Sequence, residues 1–140
     1  QYFGFIRAAG ADHFDLKYRV GLELLGHCGI KNHDIIGRQF LEKFGFLSPV
    51  PELTENHTKA KRFLTYKYSE YYNLLSEASK ETLKHQGGPM SKEEADLFEA
   101  DPLFSNSIKI REYDDKAKVV GLKLKSLDYY KQDILKKSRT

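Results

Sequence analysis

The chain has 140 residues and a net charge of +3, with 40% hydrophobic and 31% charged residues of both signs mixed along its length, which fits one soluble globular domain over 1–140 and excludes a disordered chain. No apolar run approaches the roughly 20 residues that a membrane-spanning helix needs, and no signal-peptide pattern is visible. The single cysteine, Cys28, cannot form an internal disulfide, so a reducing, cytoplasmic location is expected.

Residues 1–30 are punctuated by Gly10, Gly21, Gly26 and Gly29 and read at best as a broken helix followed by a loop. The first residue is Gln1, as expected of a processed chain or a piece of a longer one. A helical core is expected over 31–137. Ile36, Phe40, Leu41 and Phe44 recur at helical spacing, and Gly45 ends the run as a left-handed cap would. Pro49 and Pro51 lead into a second helix carrying Leu53, His57, Ala60, Lys61 and Leu64. A tyrosine-rich stretch follows (Tyr66, Tyr68, Tyr71, Tyr72), then a helix from about Ser76 to Gln86, broken by Gly87-Gly88-Pro89. Ser91 and Glu94 form a capping-box pattern for a short helix to about Ala100. Pro102 precedes a helix bearing Phe104, Ile108, Tyr113 and Asp114, and Gly121 separates it from a last one, Leu127 to Lys137. With no strand alternation, the fold class is all-α. The basic end, with Lys136, Lys137 and Arg139, reads as a solvated helix terminus; no recognition motif accompanies it, so no nucleic-acid partner is expected.

Chemistry concentrates on two histidines 24 residues apart, His33 and His57, and a later carboxylate, Asp114. Two neutral imidazoles and a carboxylate suit a divalent iron or similar ion and leave positions open for a substrate. His57 and Lys61 are four apart and share a helix face. A metal on the imidazole would therefore have an ammonium one turn away, suited to a phosphate-like group. Ser79, Thr82 and Gln86 likewise fall on one face, where two hydroxyls and an amide can meet an anionic oxygen cluster; the plain alternative is a polar face in water. His27 and Cys28 sit between glycines in an expected turn, and His85 reads as a helix-end cation. Asn56-His57-Thr58 fits the glycosylation pattern, but within a helix it is read as a chance match.

These pieces gain weight together in the run from His33 to about Tyr130. It contains Asn32-His33-Asp34, His57 with Ala60-Lys61-Arg62-Phe63-Leu64, Leu75-Ser76-Glu77-Ala78-Ser79, Gln86-Gly87-Gly88-Pro89-Met90, and Lys109-Ile110-Arg111 before Asp114. This text resembles the HD-domain phosphonate oxygenases, relatives of myo-inositol oxygenase. The resemblance implies an HD-domain-like helical bundle around a mixed-valent diiron centre that uses dioxygen to cleave a carbon–phosphorus bond in a small hydroxylated aminophosphonate. It implies that His33 and His57 serve one iron and Asp114 the other, and that Lys61, Ser79, Thr82 and Gln86 hold the phosphonate oxygens.

The family also carries an earlier histidine and a His-Asp doublet at the end of an apolar helix. Here that stretch reads Asp12-His13-Phe14-Asp15, with the letters in the wrong order, leaving His13 and Asp15 as makeshift ligands. A second register takes His13 as the first histidine, His33-Asp34 as the doublet, then His57 and Asp114. Against it, His33 opens a helix instead of closing one. Two further readings stand beside the oxygenase: a metal-dependent HD phosphohydrolase, whose metal-bound water attacks a phosphoester, and a non-catalytic or truncated helical protein lacking the bridging carboxylate.

Overall fold

The computed structural model describes residues 30–117, 123, 125–126 and 128–131. Residues 30–117 all fall within one compact unit, and those from 123 to 131 within a second. In the first unit the order is α1 (His33–Lys43), α2 (Val50–Lys67), α3 (Ser69–Leu74), α4 (Glu77–His85), α5 (Lys92–Glu99) and α6 (Phe104–Lys116). Among the described residues there is no β-strand, so the fold is the all-α, HD-domain-like bundle expected from the sequence. In the second unit, 128–131 is helical, with the Lys125 ammonium 3.8 Å from the Tyr129 ring centre. The rest of the helix expected there, with His13, Asp15, His27 and Cys28, lies outside the described residues.

Local chemistry sets the ends of these helices. Asn32 adopts the left-handed conformation (φ 54°, ψ 29°), which asparagine tolerates better than most residues. The turn at this point brings the Ile30 carbonyl beneath His33. Two helices stop in the same way. At the end of α4, Gly88 N–H donates to the Leu83 carbonyl and Gly87 N–H to that of Lys84. At the end of α1, Phe46 and Gly45 repeat the pattern onto Leu41 and Glu42. These are Schellman motifs, and their pivots, Gly87 (φ 95°) and Gly45 (φ 80°), take backbone angles that a side chain would strain. At α5 the capping box closes both ways, the Ser91 hydroxyl accepting from Glu94 N–H and the Glu94 carboxylate accepting from Ser91 N–H.

The long helix α2 is the axis of the unit and packs against α1, α3, α5 and α6. Its buried face joins Ala60 and Phe63 to Met90, Ala95 and Phe98, with Leu64, Phe104 and Ile108 against them. Phe63, Phe98 and Phe104 meet edge to face with ring centres 5.1–5.8 Å apart. Burying each such ring contributes about 1.5–3 kcal/mol, and the edge-on contacts add to that. Between α1 and α2 the approach is closer: a Cβ on Gly37 would lie 3.1 Å from the Thr54 methyl. The apolar face read for α1 is only partly covered, since Phe44 is exposed and Gly37 is its buried residue.

Arg62 fixes α2 to the Gly-Gly turn. Its Nε donates to the Gly88 carbonyl at 2.9 Å and its Nη2 to both oxygens of Glu94. The end of α4 is thereby held in register with the middle of α2. Asn56 is buried and donates to the Ser107 hydroxyl on α6, so its amide is part of the packing and is closed to glycosylation.

Candidate metal centre and anion pocket

His33 opens α1 and His57 sits in the second turn of α2, and the close α1–α2 approach brings their rings together. The two Nε2 atoms are 3.2 Å apart. Each ring is anchored from behind by a main-chain carbonyl, that of Ile30 to His33 Nδ1 at 3.1 Å and that of Thr54 to His57 Nδ1 at 2.5 Å. A carbonyl only accepts, so both Nδ1 atoms carry protons and the Nε2 lone pairs point toward each other. Two such lone pairs repel unless a proton or a cation stands between them. Two nitrogens bound to one ion at about 2.0–2.1 Å and about 90–110° apart would lie about 2.8–3.4 Å from each other. The observed separation fits a shared ion, and the donor set suits iron(II) among others.

Burial is the main reason the His57 imidazole is held below its ordinary value. The Thr54 carbonyl opposes that shift, His33 adds to it, and the carboxylates of Asp34 and Asp114 oppose it. The net effect favours the neutral imidazole, the form that ligates a metal.

Four residues along α2 from His57, Lys61 is 4% exposed. Its ammonium donates to the Thr82 hydroxyl and to the Gln86 side-chain oxygen, both at 2.8 Å. Thr82 is oriented by donating in turn to the Ser79 carbonyl at 3.0 Å, so Ser79 meets this group through its main chain. Gln86 is the residue after the last turn of α4, and the Schellman motif behind it sets where its amide falls. A cavity of about 230 Å³ is lined by His33, Asp34, Thr58, Arg62, Thr82 and Gln86 among others. One space therefore touches His33 of the imidazole pair and both partners of the Lys61 ammonium.

Asp114 is half-buried on α6, where its Oδ2 accepts from Arg111 Nη1 at 3.1 Å. Among the described residues no group of three His, Cys, Asp or Glu side chains closes on a common point, so the two histidines converge as a pair, and Asp114 acts on His57 through its charge. His85 pairs with Glu81 at 3.4 Å and is among the residues lining the same cavity. Arg111 holds Asp114 and is itself held by Tyr71 and Asp115, three residues to which the sequence assigns no place at the site. Their only sequence signal is an arginine three and four residues before two adjacent carboxylates.

No family model matches the chain. It is 48% identical over 107 residues to an uncharacterized protein of Acanthamoeba polyphaga mimivirus, covering 76% of this chain and 49% of that protein. It is 37% identical over 102 residues to the hydroxymethylphosphonate dioxygenase of Gimesia maris, covering 73% of this chain and 50% of the enzyme. Over 86 residues it is 42% identical to the glycine-betaine-forming [1-hydroxy-2-(trimethylamino)ethyl]phosphonate dioxygenase of Leisingera caerulea, covering 61% of this chain and 43% of the enzyme. The chain thus spans about half the length of the curated relatives it matches.

Proposed function

We propose that the chain belongs to the HD-domain phosphonate oxygenases and acts, with iron, in the oxidative cleavage of the carbon–phosphorus bond of a small hydroxylated phosphonate. The observation that carries this reading is an imidazole pair at cis-ligand spacing with a buried ammonium four residues along α2 from His57, held by a hydroxyl and an amide, beside a cavity lined by His33, Thr82 and Gln86. The two relatives named as phosphonate dioxygenases supply the substrate class.

His33 and His57 would hold one iron through Nε2, and Asp114 would serve a second. The iron supplies the activation of dioxygen. The rest falls to the chain's own side chains. Lys61 neutralises phosphonate charge, while Thr82 and Gln86 orient its oxygens and Ser79 holds Thr82 through its main-chain carbonyl; the carbon bearing the hydroxyl and phosphorus is thereby aimed at the imidazole pair. The hydroxyl-bearing carbon ends as a carboxylate and phosphorus leaves as inorganic phosphate, with dioxygen supplying two oxygen atoms.

The test is stoichiometry. Purified chain loaded anaerobically with ferrous iron is mixed with hydroxymethylphosphonate and air-saturated buffer, and phosphate release and oxygen uptake are followed together. One phosphate per dioxygen is expected. Phosphate released from a phosphoester with magnesium or manganese and no oxygen uptake would replace this reading with the phosphohydrolase one.

A further inference from the structure

We propose that Arg62 is a positioning residue: by gripping the Gly87-Gly88 turn it holds the Gln86 side-chain amide where a phosphonate oxygen meets it. This rests on the proposed role of Lys61, Thr82 and Gln86 as the anion site.

Two consecutive residues of α2 make the grip. Lys61 Nζ donates to the Gln86 side-chain oxygen at 2.8 Å, Arg62 Nε donates to the Gly88 carbonyl at 2.9 Å, and the Arg62 carbonyl accepts from Met90 N–H at 3.3 Å. Residues 86, 88 and 90 are thus each tied to the same point on α2. The guanidinium also lies along the turn, with Nη2 3.5 Å from where a Cβ on Gly87 would stand. Its far end is anchored on α5. There Nη2 donates to the two Glu94 oxygens at 2.9 and 2.8 Å, and Glu94 is itself fixed by its capping box with Ser91. The Arg62 side chain is 17% exposed, so water competes little for these bonds at the arginine end.

Chemistry and position give the grip a function beyond packing. An ammonium only donates, so the Gln86 oxygen faces Lys61 and the amide N–H groups are the donors left to meet an anion. Where they point depends on the backbone at Gln86, the last residue before two glycines at φ 95° and 73°. Glycine has the least restricted backbone and no side chain to pack, so such a turn has to be fixed from outside. A planar guanidinium can hold a carbonyl and a carboxylate at once in set directions, which the compact ammonium of a lysine at this place could not do. Arg62 does so from the position next to Lys61, and both Arg62 and Gln86 line the cavity, while its anchor Glu94 does not.

The experiment is titration calorimetry of hydroxymethylphosphonate into the full chain, loaded with ferrous iron and kept free of dioxygen so that nothing turns over. It compares the wild type, Q86A, R62M, R62M/Q86A, E94A and S91A, with thermal melting of each. E94A cuts the outer anchor without touching the cavity, so it serves where R62M fails to fold. S91A weakens the α5 cap and leaves the Arg62 bonds in place. The expected result is binding about tenfold weaker in Q86A and between about three- and tenfold weaker in R62M and E94A. No further loss is expected when R62M is added to Q86A, and S91A should melt earlier yet bind as the wild type does. R62M and E94A that bind as the wild type, an R62M loss undiminished in the Q86A background, or S91A weakened as much as E94A would each overturn the positioning role and leave the anion site standing. Q86A that binds as the wild type would overturn both the positioning role and the place of Gln86 in the anion site. A wild-type chain that binds no phosphonate would overturn the anion-site reading and this inference with it.

Discussion

Replacing Lys61 with methionine keeps an unbranched side chain one atom shorter and removes its charge and three N–H donors. In the wild type the ammonium is 4% exposed and donates two bonds of 2.8 Å, to Thr82 and Gln86. The stability change should be small, because the two lost hydrogen bonds to a charged group, each about 1.5–3 kcal/mol, are offset by the charged group no longer having to be stripped of water. Anion binding has no such offset. Losing one charge-assisted contact to a phosphonate oxygen should cost about 1.5–3 kcal/mol, a rise in Kd of about 10- to 150-fold. Titration calorimetry with hydroxymethylphosphonate at fixed ionic strength reads this directly, with thermal melting to confirm that K61M is folded. T82V, which keeps the ammonium, should show the smaller loss of about 0.5–1.5 kcal/mol of a neutral hydrogen bond. A folded K61M that binds the phosphonate as tightly as the wild type would refute the assignment of Lys61, Thr82 and Gln86 as the anion site.

Three further outcomes follow from the same contacts. F63A empties the centre of the Phe63–Phe98–Phe104 cluster and should lower unfolding free energy by about 3–5 kcal/mol in urea denaturation. N32V places a β-branched residue at a left-handed φ of 54° and should cost at least about 1–2 kcal/mol, whereas N32G should cost less; melting temperatures separate the two. The third concerns pH. Burial depresses His57 below its ordinary 6.5, so the unfolded chain binds a proton that the folded one refuses. Stability from this group is complete above pH 6.5 and declines as pH falls from there toward the lower folded value. Denaturation between pH 7.5 and 5 should show that slope in the metal-free wild type and a shallower one in H57N.

Much of the fold was legible because its signals are local. The breaks at Gly45 and Gly87-Gly88, the capping box at Ser91 and the start of α2 at its prolines depend on residues a few positions apart, and these four helix ends fall within a residue or two of their expected places. Helix α3 was missed as an element, since its tyrosines carry no clear period and Tyr68 is extended between it and α2. At the site, the spacing of His57 and Lys61 places both on one face of α2, but the burial of Lys61 depends on α4, which lies 21 and 25 residues further on. The outward exposure of Phe44 and the clamp from Tyr71 to Arg111, 40 residues away, are set by which helices meet, and helical periodicity carries no information about that.

The central claim is that His33 and His57 share one iron through Nε2. X-ray absorption at the iron edge, on wild type, H33A and H57A loaded anaerobically with ferrous iron, tests it most directly. The account predicts a wild-type spectrum with two imidazoles on one iron at about 2.0–2.2 Å, and loss of one imidazole together with weaker iron binding in each variant. Iron bound equally well by all three proteins, with the same imidazole count, would contradict it.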